Sequence, residues 1–330
     1  MVRALSALWK QAPASAGEEP AARQCVTLGR YEIEGEIGRG AMGAVLLGRD
    51  PRDGSKVALK TIALGREFAD EERAEARQRF LREAETAARL RHPDIVSVLD
   101  SGEDQGLAWI AMEHVPGRDL AHHALPGELL PVPDVLRIVA RVADALGYAH
   151  SQGVIHRDIK PANVVVDLAA DSVKVTDFGI ARITDSSRTR TGMLLGTPSY
   201  MSPEQLTGQR IDGRSDLYSL GVMLFQLLCG RLPQQAESTA ALMNQIVNLR
   251  APDLRSLRPE LPEALAVLVA LTLEKRPELR PADGRQLALD LRRVAGQMTG
   301  AGAAKAVADD DLFTSTVKFS RVDPGHNPSE

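Results

Sequence analysis

The sequence predicts an α+β chain of two lobes: a small antiparallel β-sheet lobe with one long helix, then a larger, mainly α-helical lobe. Three observations predict it. Short strand-like runs separated by turn residues fill Tyr31 to Val115, interrupted once by a long charged stretch of helical spacing. After Pro116-Gly117 the apolar residues recur at helical spacing. A length of 330 residues with 44% hydrophobic residues suits about two folded units, each with its own core.

In order along the chain, residues 1–28 are rich in Ala, Pro, Glu and Gly and lack periodicity, so a disordered N-terminal arm is expected. Its opening "MVRALSALWKQAPASA" imitates a signal peptide, but the apolar run is too short for one. Residues 29–115 form the expected first lobe. "YEIEGEIG" alternates, and "AVLLGRD" and "KVALKTIAL" are split by the turn "PRDGS", which together give an antiparallel meander. A helix is expected over about 69–91, ending before His92-Pro93. Two more strands follow, "DIVSVLDSG" and "LAWIAMEHV".

Residues 116–297 form the expected second lobe. "VPDVLRIVARVADALGYAHSQG" is amphipathic with a glycine stop. "VVVDLAADSVKVTDFG" alternates like a hairpin. "DLYSLGVMLFQLLCG" is apolar nearly all round and reads as a buried helix. "LPEALAVLVALTLEK" and "DGRQLALDLRRVAGQM" complete the helical set, and residues 298–330 are expected to be a flexible C-terminal tail.

The formal net charge of -4 gives no sign of a nucleic-acid partner. Two cysteines, Cys25 and Cys229, argue against a secreted disulfide framework and fit a reducing, cytoplasmic location. No apolar stretch of about 18–20 residues appears, so no membrane span is expected in this chain.

Three stretches carry chemistry. "GRGAMGAV" holds Gly38, Gly40 and Gly43. A dinucleotide-binding G-x-G-x-x-G needs a helix after its glycines, whereas here a strand follows. The glycines therefore sit on a hairpin, either as a plain turn or as a place where backbone N–H groups approach phosphate. Lys60 ends "VALK" in an otherwise apolar strand, and a lysine there must reach water or an anion. The helix offers carboxylates to hold it, with Glu83 preferred and Glu85 left open by spacing alone. "HRDIKPAN" then places Asp158, Lys160 and Asn163 within six residues, and Asp177 follows in "DFG". Asp158 suits a role of accepting or orienting a hydroxyl proton, and Lys160 that of neutralising a phosphoryl group. Asn163 and Asp177 offer hard oxygens to Mg²⁺. Phosphoryl transfer needs little more than such positioning and cations.

In this order, "GRGAMGAV", "VALK", "HRDIKPAN", "DFG", "GTPSYMSPEQ", "DGRSDLYSLGV" and "RPELRP" resemble a eukaryotic-like Ser/Thr protein kinase of the kind found in bacteria. The resemblance covers about residues 31–297 and implies the bilobal protein-kinase fold. It implies that Ile37, Gly38, Gly40 and Gly43 cover ATP, with Val45 and Ala58 flanking adenine. Lys60 would hold the α/β-phosphates and pair with Glu83. The hinge would be Ala111–Val115, with Met112 behind it, Glu113 and Val115 bonding adenine, and Asp119 reaching the ribose. Asp158 would be the catalytic base, Lys160 would steady the γ-phosphate, and Asn163 and Asp177 would bind Mg²⁺. Thr197 would contact Asp158, Glu204 would pair with Arg280, and Asp216 would anchor the catalytic loop. "SPE" replaces the usual "APE", and Gln234 replaces the usual Phe after "GRLP".

The resemblance also implies regulation. Arg157 and Arg182 would grip a phosphate on Thr189 or Thr191, placed there by autophosphorylation. Expected partners are proteins bearing Ser or Thr, and, through Thr314 and Thr316 of the tail, phosphothreonine-binding domains; a dimer is left open. The rival readings are a pseudokinase scaffold, which should lack Lys60, Asp158 or Asp177, and a small-molecule phosphotransferase, which usually lacks "GTPSYMSPEQ".

Overall fold

The computed structural model describes residues 26–39, 43–62, 70–104, 106–178 and 198–300, with the backbone alone at 70–73, 79, 299 and 300. The first lobe is built on a six-stranded antiparallel sheet. Its strands are β1 (Thr27–Leu28), β2 (Tyr31–Arg39), β3 (Ala44–Arg49), β4 (Lys56–Ile62), β5 (Val98–Asp104) and β6 (Leu107–Glu113), in the order β1-β2-β3-β4-β6-β5. The expected meander is β2-β3-β4. The β3–β4 turn closes because the Asp50 carboxylate accepts from the Arg52 N–H at 3.0 Å and Asp53 from the Ser55 N–H at 2.9 Å.

Register decides which side chains share a face. Lys60 lies opposite Val45 on β3 and Ile110 on β6, and Ala58 lies opposite Leu47 and Met112. Directly paired residues point to one side of a sheet, as do residues two apart on a strand. Val45, Ala58, Lys60 and Met112 therefore line one surface.

Helix α1 (Asp70–Ala87) buries Ala76, Phe80, Ala84 and Ala87 at helical spacing; the first three pack with Ile62, Ala108 and Ile110 of the sheet, and Ala87 joins the core of the second lobe. It stops four residues short of the expected Arg91. Its last turn tightens to bonds three residues back, Arg89 N–H donating to Thr86 O at 3.2 Å and Leu90 N–H to Ala87 O at 3.1 Å.

The second lobe begins with β7 (Arg118–Asp119), which joins β8 (Val164–Asp167) and β9 (Ser172–Val175) in a small antiparallel sheet. Its helices are α2 (Val132–Ser151), α3 (Pro203–Thr207), α4 (Gly213–Cys229), α5 (Thr239–Asn248), α6 (Leu254–Leu257), α7 (Glu263–Thr272) and α8 (Gly284–Gly300). Helix α4 is buried almost throughout, from Ser215 to Leu228, as its all-round apolar sequence predicts. Helices α2 and α7 pack on it, and α8 packs along α2. Among the described residues, no helix is long and apolar enough to cross a membrane.

Two ties join the lobes beside the chain crossover. Val96 N–H donates to Val175 O at 2.9 Å, and Val175 N–H donates to Asp94 O at 2.8 Å. The segment before β5 is thus bonded to β9 of the second lobe.

Candidate active site

The loop after α2 is aimed by the way that helix ends. Gly153 takes φ 75°, its N–H donates to His150 O at 2.9 Å, and Val154 N–H donates to Ala149 O at 2.9 Å. This left-handed glycine cap satisfies the last carbonyls and reverses the chain, so that "HRDIKPAN" runs back across the lobe.

Asp216, in the first turn of α4, then holds that loop by its backbone. Its Oδ2 accepts from the His156 N–H at 2.8 Å and bonds His150 Nε2 at 2.7 Å, while Oδ1 accepts from the Arg157 N–H at 2.7 Å. Burial opposes a charge on Asp216, but the hydrogen bond from His150, with the His156 backbone N–H beyond, holds its pKa below the ordinary carboxylate value. The helix N-terminus favours the same anion. From the other side, Gln205 Nε2 donates to Arg157 O at 2.9 Å, so both peptide groups of Arg157 are fixed.

The expected catalytic residues come together in this loop. Asp158 Oδ2 accepts from Lys160 Nζ at 2.6 Å and from Asn163 Nδ2 at 3.0 Å, and Asn163 Nδ2 also donates to Asp158 O at 2.7 Å. Both acceptors claim the Asn163 amide nitrogen, so its carbonyl oxygen is the end left for a ligand. Asp158 keeps 38% side-chain exposure, enough to meet a substrate.

His156 is fully buried and links this loop to the strand end that bears Asp177. Its Nδ1 accepts from the Asp158 N–H at 3.3 Å, so its Nε2 is the protonated nitrogen that donates to Thr176 O at 2.7 Å. Its ring packs edge-on against Phe178, with centroids 4.6 Å apart.

Asp177 follows with φ 65°. A non-glycine residue in this left-handed region costs of order 1 kcal/mol or more and persists only when its surroundings impose it. Lys60 Nζ lies 2.8 Å from Asp177 Oδ2, bridging the two lobes. Burial works against ionised Asp177, but Lys60, by charge and hydrogen bond, brings its pKa below the ordinary value.

Of the two helix carboxylates that spacing left open, Glu83 is half-buried and Glu85 is exposed. The ion pair formed by Lys60 here runs to Asp177. Ala84, Val98, Ile110, Met112 and Phe178 line a small cavity behind the cleft, with Asp177 at its polar edge. Ile37 is half exposed at the rim, and Gly38 pairs with Val45 across the hairpin. Val115 follows the end of β6, and Asp119 caps the 3-10 turn Leu120–Ala124 by accepting from the Ala121 N–H at 3.0 Å.

Away from the cleft, Glu204 and Arg280 form a buried two-pronged pair at 2.6 and 2.8 Å, with Ser215 Oγ adding a third bond to Glu204 at 2.6 Å. Gly40, Arg182, Thr189, Thr191 and Thr197 lie outside the described residues.

A model described as "Protein kinase domain" matches residues 31–289. The chain belongs to the protein kinase family. Its curated relatives include the serine/threonine-protein kinase pkn3 of Myxococcus xanthus, 41% identical over 80% of this chain and 50% of the relative. PknJ of Mycobacterium bovis is 42% identical over 76% of this chain and 43% of its own length. PksC of Streptomyces coelicolor is 41% identical over 83% of this chain and 50% of its own. The chain thus spans half or less of the length of these relatives. Among solved structures, the crystal structure of Rad53 1-466 in complex with AMP-PNP matches with a TM-score of 0.65 and 25% identity, over 78% of this chain and 64% of that one.

The kinase cleft also contains polar groups that the sequence expectations omit. Lys174 Nζ reaches Glu113 Oε1 at 2.7 Å, Gln205 holds the Arg157 carbonyl, and His150 braces Asp216. Lys174 was visible by the argument that singles out Lys60: it is a lone cation in an apolar, alternating run and must find an anion. Gln205 and His150 have no such signal, because their partners are backbone groups and a residue 66 positions away.

Proposed function

We propose that this kinase domain transfers the γ-phosphate of ATP to serine or threonine hydroxyls of proteins. The observation that carries the reading is the joining of Asp158, Lys160 and Asn163 in one hydrogen-bonded cluster, linked through His156 to the strand end where Lys60 meets Asp177.

Asp158 orients the substrate hydroxyl and accepts its proton. The hydroxyl oxygen bonds to the γ-phosphorus as the bond to the β–γ bridging oxygen breaks, and ADP leaves. Lys160 neutralises charge on the moving phosphoryl group, and Lys60 binds the α/β-phosphates. Its partner on the helix in the working state is Glu83. Asn163 Oδ1 and Asp177 fit Mg²⁺: two hard oxygens from the chain leave room for phosphate and water, as that ion prefers. When bound, Mg²⁺ neutralises charge on the phosphate oxygens. Gly38, Gly40 and Gly43 cover the phosphates, Val45 and Ala58 flank adenine, the backbone of Glu113 and Val115 bonds its edge, and Asp119 meets the ribose.

We further assign residues 29–115 and 116–297 to the two lobes, which β1 (Thr27–Leu28) and the end of α8 at Gly300 extend at either side, and the flanks beyond them to arms that carry regulation. Autophosphorylation at Thr189 or Thr191, read by Arg157 and Arg182, switches the loop, with Thr197 placing substrate beside Asp158. Phosphothreonine-binding domains are partners of the tail, and the reaction is placed in the cytoplasm, where ATP is supplied.

The test is transfer from labelled ATP with Mg²⁺ to a generic protein substrate, comparing wild type with Asp158→Asn and mapping the label. Label on Ser or Thr in wild type, reduced by about 10²–10⁴-fold in Asp158→Asn, supports the reading. No label in either, with nucleotide binding intact, points instead to a pseudokinase scaffold.

A further inference from the structure

Glu113 is the last residue of β6 and the point where the first lobe passes into the crossover. It is pinned three times. Its N–H donates to Ser97 O at 3.0 Å, its Oε1 accepts from the Ser97 N–H at 2.9 Å, and the same oxygen accepts from Lys174 Nζ at 2.7 Å. Lys174 Nζ also lies 3.5 Å from Ile95 O. These bonds converge on residues 94–97, which are tied on their other side to Val175 of β9. The side chains of Lys174 and Glu113 are 19% and 32% exposed, so water screens the pair only in part.

The placement matters because of what lies along each strand. Glu113 and Met112 pair with Val57 and Ala58 on β4, so the backbone at Glu113 borders the surface that holds Ala58. Lys174 lies three residues before Asp177 on the strand that delivers it, about 10 Å at strand rise. The segment of β9 and the two residues after it therefore meets the crossover through Lys174 and Lys60 through Asp177.

We infer that Lys174 is a positioning residue for nucleotide binding: through Glu113 it fixes the crossover backbone at the adenine end of the cleft in register with Asp177 at the phosphate end. This rests on the proposed reading that the Glu113 and Val115 backbone bonds adenine. Lys174 touches neither nucleotide nor substrate and acts only by holding Glu113. A merely structural tie between lobes would lower thermal stability and leave affinity unchanged.

The experiment measures AMP-PNP affinity by calorimetry, and KM for ATP and kcat, for wild type, Lys174→Met, Glu113→Gln and the double variant. Glu113→Gln keeps an acceptor for the Ser97 N–H while removing the charge, and it serves if Lys174→Met fails to fold. The expected result is a rise in Kd and KM for ATP of roughly three- to tenfold in each single variant, with a smaller change in kcat. The double variant should be no worse than Lys174→Met alone, since both changes remove one interaction. Kd equal to wild type in both single variants, or fully additive effects in the double, overturns the inference while nucleotide binding by wild type upholds the reading of the cleft. Wild type that binds no AMP-PNP overturns both.

Discussion

The carboxylate of Asp216 holds Arg157 in a left-handed backbone conformation: φ of Arg157 is 70°, and its N–H reaches Asp216 Oδ1 at 2.7 Å. Arginine does not adopt this conformation without help, so the strain is offset by a carboxylate buried in another element. The consequence is that Asp158, the next residue, points where α4 dictates.

Asp216→Asn should therefore damage catalysis from a distance. The amide offers one acceptor where the carboxylate serves two backbone N–H groups and His150. A loss of about 1–3 kcal/mol in stability is expected, since one buried backbone N–H is left without its acceptor. In the folded fraction kcat should fall on the order of 10²-fold, with KM for ATP nearly unchanged. Denaturant melts and steady-state kinetics check it. A fall in KM-dependent affinity with kcat preserved would contradict the placement.

Gly43 and Gly38 look alike in sequence but differ in space. A Cβ on Gly43 would sit 1.7 Å from Thr61 O, a backbone atom, whereas on Gly38 the nearest atom is Val45 Cβ at 3.7 Å. Gly43→Ala should cost about 1–3 kcal/mol by overpacking and raise KM for ATP, because the hairpin must move off β4. Gly38→Ala should leave the melting temperature within about 1–2 °C of wild type.

Gln234 is 6% exposed, and among the described residues neither polar atom of its amide has a hydrogen-bond partner. Burying such a group costs about 1–3 kcal/mol. Gln234→Met should raise the melting temperature by roughly 2–6 °C at this domain size without changing kinetics. A lower melting temperature would show that the amide holds a bound water instead.

The buried carboxylates set the acid limit. Glu204, Asp216 and Asp177 all have folded pKa values below their ordinary 4.5, 3.8 and 3.8; burial opposes this in each, and Arg280, His150 and Lys60 respectively prevail. Each binds its proton more weakly folded than unfolded. Its stabilisation is complete above the unfolded pKa and is lost as pH falls through the folded one. These three carboxylates should contribute no slope to the melting temperature above about pH 5.5 and make it fall steeply below about pH 4.5. Arg280→Met should reverse the local sign. Glu204 would then be buried without its cation, its pKa would rise, and stability would increase as pH drops from 7.

The two-lobe α+β architecture was legible in the sequence because period and turn chemistry agree over long stretches. The strand "KVALKTI" and helix α2 with its glycine stop at Gly153 are unambiguous locally. Helix α5 is absent from the sequence expectations. Leu242, Met243, Ile246 and Val247 do share a face, but only Ile246 is fully buried, and so short a surface helix leaves a weak period. In the cleft, Asp158, Lys160 and Asn163 were legible because one loop brings them together. The ion pair of Lys60 with Asp177 and the grip of Lys174 on Glu113 were not. Each spans 61 residues or more, and no local period encodes which anion a lone lysine will find.

The burial of α4 has a last consequence, one of timescale. Amides that open by local fraying exchange with solvent quickly, whereas those locked to a lobe's innermost helix exchange only when the lobe itself comes apart. The His156 and Arg157 N–H groups end on a fully buried side chain of α4. The loop that carries Asp158 is thus a surface feature with the lifetime of the core, and its geometry persists for as long as the protein is folded at all.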